Sequence, residues 1–172
     1  VYNPSLTGSS GIPSAFLIHR SQWLDIPGKP VTTSLTLDGP IKEKNIGLGM
    51  NLFADKTDFS ERIGVYGSFA YILKISADQN IRFGISLGGL ESRVDFVKAL
   101  VRDTDDPALL QNYEKQAGLD GNFGIAYQWG GFELGFAIPQ ILATPIEFSN
   151  STSRVYYDLS RHYMVNMQYQ IL

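Results

Sequence analysis

The sequence has no cysteine, which excludes disulfide scaffolds and thiolate-bound zinc or iron–sulfur centres. No apolar run approaches the roughly 18 residues that a membrane-crossing helix needs. Charge is scarce. Asp, Glu, Lys and Arg make up 18% of the 172 residues, where a soluble domain usually carries about a quarter. A net charge of −3 offers no basic footprint for nucleic acid. A leader peptide is lacking too; the opening VYNPSLTG reads as a mature or trimmed N-terminus, so that lack carries no information about compartment. Gly84-Ile85-Ser86-Leu87-Gly88 has the letters of a Gly-x-Ser-x-Gly elbow but lies inside the alternating stretch 81–88, with no helix following it. Gly47-Leu48-Gly49 has neither the third glycine nor the following helix of a dinucleotide site. His19 and His162 have no partners at ligand spacing and read as structural or solvated. With no catalytic constellation left, neither an enzyme nor a cofactor is expected.

What the chain does have is alternation. The stretch 45–55, NIGLGMNLFAD, puts Ile46, Leu48, Met50, Leu52 and Ala54 in one row, with Gly47, Gly49, Asn51 and Asp55 in the other. A strand is the regular structure that sends alternate side chains to opposite faces. Similar patterns occur at 15–24, 31–38, 63–71, 81–88, 123–129, 132–138 and 163–171, giving about eight strands. Most are near the 9–11 residues or so that cross a bilayer when tilted. Residues 1–14 form a turn-rich lead-in, Gly39-Pro40 stops the second strand, and Gly130-Gly131 is a two-residue hairpin signal.

Two long connections interrupt the strands, 91–119 and 139–161. In the first, Asp106-Pro107 is a helix start, a short helix follows over 108–116, and Gly118 closes it. Asp103, Asp105 and Asp106 make the densest carboxylate cluster. Calcium would suit it, but no Gly turn or bidentate Glu follows at EF-hand spacing, and no metal site is assigned. The second connection reads as irregular. Both long connections fall at one end of an up-and-down sheet, which in outer-membrane barrels is the outward end.

The face opposite the apolar row decides between protein core and lipid. A soluble barrel or sandwich needs a charged outer surface. Here that face is mostly Gly, Ser, Ala, Asn and Gln, residues that suit a crowded barrel interior. Trp23, Tyr127, Trp129, Tyr163 and Tyr169 cluster towards strand ends, as interface girdles require. The expected fold is an all-β, antiparallel transmembrane β-barrel of the bacterial outer membrane, with residues 1–172 as a single domain. Asp38, Arg62, Arg82 and Glu133 fall on the small-residue face as a candidate lumen charge network. It would either lock a narrow barrel through ion pairs or form a selectivity ring. The long connections carry Tyr113, Phe148, Tyr156 and Tyr157 as candidate aromatic anchors for a partner, or as packing against the barrel rim.

An ordered set of short motifs runs through the whole chain: Tyr2-Asn3-Pro4 with Gly8, Arg20-x-Gln22-Trp23, Gly28-x-Pro30 with Thr33 and Ser34, and Ile46-Gly47-Leu48-Gly49 with Asp55. Tyr66, Ala70-Tyr71, Asp106-Pro107, Asn122-Phe123-Gly124, and Gly135-Phe136-Ala137-Ile138-Pro139 leading to Leu142 follow. With this set the chain resembles the PorP/SprF outer-membrane proteins of type IX secretion and gliding motility. It departs from their pattern at Leu24-Asp25-Ile26, where a Gly usually follows the Trp. Members are longer, so the resemblance implies the N-terminal portion of a larger barrel, whose further strands or a partner would cover an open edge in lipid. It also implies a non-enzymatic function: assisting export of a large secreted adhesin and holding its C-terminal domain at the cell surface. Secreted cargo, other type IX or gliding components and outer-membrane lipid are the implied partners. The family brings no chemically defined residues to carry over. An outer-membrane diffusion channel, or a soluble ligand-binding barrel, is the rival reading.

Overall fold

In the computed structural model residues 3–95, 114–142, 146–149, 154–157 and 162–171 are described. The strands are β1 (Ser14–Ser21), β2 (Val31–Ile41), β3 (Ile46–Lys56), β4 (Ser60–Lys74), β5 (Gln79–Val94), β6 (Glu114–Trp129), β7 (Phe132–Ile138), β8 (Ile146–Ser149), β9 (Arg154–Tyr157) and β10 (Met164–Tyr169). Eight of them form one sheet in the order β1-β2-β3-β4-β5-β6-β7-β10. Every pairing within it is antiparallel. It curls into a half-barrel of the outer-membrane type, and among the described residues β1 and β10 are its open edges.

Alternation dictates which way the sheet curls. The apolar rows lie on the convex side and stay exposed: Ile85 is 47% and Leu87 57% accessible. The small and polar rows lie on the concave side, where Ala70 and Ala126 are 0% and 1% accessible. A half-barrel that buries its small residues and exposes its large apolar ones has lipid as the natural solvent for its outer face. Trp23 and Tyr163 stand at one end of the sheet, while Trp129 and Tyr169 share a register row through Phe132 at the other. The connections alternate in the same way. Residues 42–45, 75–78 and 130–131 make short turns at one end, and the connections that follow β1, β3, β5 and β7 leave the sheet at the opposite end.

Gly130, at φ 54, takes the left-handed conformation that the tight β6–β7 turn needs, and Trp129 and Phe132 close it. Several expected boundaries shift. β2 runs through Gly39-Pro40 to Ile41. β1 pairs with β2 only as far as Asp38, so Pro40 sits where β2 is locally an edge and proline is tolerated. β1 ends at Ser21, short of the expected Leu24, and Trp23 adopts φ 54. β5 and β6 are 16 residues each. They therefore claim both ends of the expected loop 91–119, and Gly118 and residues 114–116 are strand rather than helix end. The rest of that helix, 108–113, lies outside the described residues. The expected irregular loop 139–161 carries the β8–β9 hairpin.

Candidate functional site

The concave face is built around one register row. Gly47 of β3 pairs with Ala70 of β4, Ala70 with Gly84 of β5, Gly84 with Gly124 of β6, and Gly124 with Ala137 of β7. Antiparallel partners point to the same face, so these five positions make a belt of minimal side chains across five strands. The chain's own N-terminal segment lies in that belt. A Cβ on Gly84 would run into the backbone of Pro4 and Ser5, one on Gly124 into Asn3, and one on Gly47 into the Thr7 carbonyl. Close backbone approach is what glycine permits.

Asn3 organises the segment. Its Oδ1 accepts from the Ser5 N–H at 3.1 Å and from the Ser5 hydroxyl at 2.6 Å, capping a 3-10 turn over Pro4–Leu6. Its Nδ2 donates to Asn166 Oδ1 on β10 at 3.0 Å. At the other end the Gly8 N–H donates to Asp38 Oδ2 on β2 at 2.9 Å. The segment is thus pinned to the sheet on both sides and crosses the strands between. Asn3, Pro4, Ser5 and Thr7 are all buried.

Beside the belt the concave face is a hydrogen-bonded web. The Tyr66 hydroxyl donates to Asp120 Oδ2 at 2.9 Å. Its ring reaches over Gly88, the residue in register with both, and stacks on Phe53 at 6.1 Å between centroids. Asn51 donates to Ser34 and Thr36, and Asn122 donates to Ser86. Arg82 Nε donates to Asn80 Oδ1 and Nη2 to Gln128 Oε1, each at 3.2 Å.

The four expected lumen charges share the concave face. No ion pair joins any two of them among the described residues. Asp38 holds the N-terminal segment. Arg82 is buried among amides, its Nη1 without a protein partner among the described residues, and Glu133 lends it an opposite charge from β7. Arg62 is exposed and sits opposite Asp55 and Ser92, away from Arg82 along β4. Arginine's several donors let amide acceptors replace carboxylates here. Tyr113 and the Asp103, Asp105, Asp106 cluster lie outside the described residues. Phe148, Tyr156 and Tyr157 fall on the β8–β9 hairpin, in backbone register with Val155, Glu147 and Ile146. His19 meets Thr33 Oγ1 at 3.0 Å on the exposed edge. Among the described residues no group of three or more His, Cys, Asp or Glu could hold a metal. On the convex face an open depression lined by Leu35, Leu52, Ile63, Val65 and Leu119 offers mostly apolar contact.

Sequence reasoning did not foresee the belt's occupant. The signal was there: Gly47, Gly84 and Gly124 recur at the same phase of β3, β5 and β6, and an Asn-Pro-Ser turn sits in the lead-in. Relating them needed the register.

The family model described as the type IX secretion system membrane protein PorP/SprF matches residues 1–172. No curated relative and no solved structure matches.

Proposed function

The chain belongs to the PorP/SprF family of type IX secretion system membrane proteins, and we propose that it works in the outer membrane as a non-enzymatic component of that system. In this reading it assists export of a large secreted adhesin and holds its C-terminal domain at the cell surface. The observation that carries the membrane half is the inverted sheet, with large apolar residues outside and small polar ones inside. The secretion half rests on the family.

Applying the barrel rule, the end with turns at 42–45, 75–78 and 130–131 is periplasmic and the end with the long connections faces outward. Loops held on a rigid scaffold carry recognition. Partner contacts are therefore assigned to the long connections, with Tyr113, Phe148, Tyr156 and Tyr157 as aromatic anchors. The Asn3–Gly8 segment across the concave face favours this reading over a diffusion channel.

The test is to tag the full-length protein, solubilise outer membranes gently, and identify what co-purifies. A stoichiometric large secreted protein attached through its C-terminal domain supports the anchor role. Recovery of the barrel alone, under conditions that preserve other outer-membrane complexes, overturns it.

A further inference from the structure

A segment that lines a barrel runs along its strands, whereas one that blocks it runs across them. Asn3 is tied to Asn166 on β10 and Gly8 to Asp38 on β2, and these strands lie on opposite sides of the sheet. Between the two ties the 3-10 turn packs on β4, β5 and β6. Pro4 and Ser5 are fully buried against the belt. Nothing in the segment is charged, and its buried amide and hydroxyl groups are largely bonded within the segment itself. It offers an approaching ion no charge, and Thr7 Oγ1 is a buried oxygen of the segment without a protein partner among the described residues. The local sequence fits this post. Proline gives the turn a fixed φ, the Asn side chain supplies its cap, and the belt opposite has no side chain larger than a methyl group.

From this geometry we propose that Asn3–Gly8 is a built-in plug that seals the lumen, and that the barrel conducts ions only when the segment leaves its belt. The inference needs the barrel but not the secretion role, so failure of the co-purification test leaves it standing.

These residues contain no cysteine, which makes thiol accessibility a direct readout of docking. In the full-length protein, with any cysteine outside residues 1–172 replaced, Ser5→Cys is compared with Ser10→Cys, an exposed position just beyond the segment. A docked segment makes Ser5→Cys react with a bulky maleimide at least about tenfold more slowly than Ser10→Cys. Adding Gly84→Val, whose side chain would occupy the space of Pro4 and Ser5, brings the two rates together. In planar bilayers the parent protein is silent and the Gly84→Val variant conducts. Deletion of residues 3–8 gives the same conductance, and replaces Gly84→Val if that variant lacks the heat-modifiable band of a folded barrel. Equal labelling of the two cysteine variants, a conducting parent, or silence after the segment is released would each overturn the seal.

Discussion

The convex and concave faces of this sheet are made from the same strands, yet they obey opposite rules. On the convex face side chains are large and apolar, and the neighbours they need are lipid chains. A methylene more or less matters little there, because a fluid solvent adapts. On the concave face side chains are small or hydrogen-bonded, and the neighbour is the chain's own N-terminal segment. There one Cβ is too many, because close-packed protein does not adapt. One face therefore tolerates shape and rejects charge, while the other tolerates polarity and rejects bulk.

The strongest way to break that comparison is a charge on the convex face. Ile85→Arg, near the middle of β5, should lower the folding free energy in lipid vesicles by about 2–4 kcal/mol. Denaturant titration of the full-length protein measures it. A loss within about 0.5 kcal/mol, the usual size for an exposed site facing water, would mean that this face does not meet lipid.

Bulk on the two faces should then differ in the opposite sense. Gly84→Val overpacks the belt and should cost about 1–3 kcal/mol. Gly89 lies on the convex side, and a Cβ there meets nothing within 4 Å; Gly89→Val should stay within about 0.5 kcal/mol. The pair shares residue type and strand, so a similar loss at both would show that strand glycines matter here for backbone reasons rather than for the segment above them. Asn3→Ala comes next. It removes the cap and the tie to Asn166, leaving buried groups worth about 1–3 kcal/mol unpaired. The segment can undock instead of unfolding the sheet, so the global loss should be the smaller part. Faster labelling of Ser5→Cys should be the larger sign.

Much of the sheet was legible because strand periodicity is local. The alternation of Ile46, Leu48, Met50 and Leu52 survives any choice of partner, and so do the Gly130-Gly131 turn and the exposed girdle residues. Boundaries were less legible where tertiary context overrides a local stop. Pro40 continues β2 because β1 has already ended beside it, and residues 88–94 and 114–120 extend β5 and β6 by pairing with each other. The concave site was scarcely legible at all. Asn3 and Asn166 are 163 positions apart, and no pattern in either neighbourhood announces the other. For the charges the face was legible but the partners were not: Arg82 and Asp38 fall on the concave side, where the structure gives Arg82 amide acceptors and gives Asp38 a backbone N–H.

The smallest effect asked of the concave face separates its polarity from its bulk at a single residue. Tyr66 contributes a ring that covers Gly88 and stacks on Phe53, and a hydroxyl that reaches Asp120 two strands away. Tyr66→Phe keeps the ring and deletes the donor, so it should cost about 1 kcal/mol, the net worth of one hydrogen bond. Asp120 keeps its bond to the Gly121 N–H, which limits the loss. Tyr66→Ala removes both and uncovers a strand glycine, so it should cost about 3 kcal/mol or more, the usual price of truncating a packed aromatic. Denaturant titration in vesicles gives the ratio of the two losses. If Tyr66→Phe were as damaging as Tyr66→Ala, the hydroxyl-to-carboxylate bond rather than the packed ring would hold β4 and β6 together across β5, and the rule that this face depends on close packing would fail at its most exposed test.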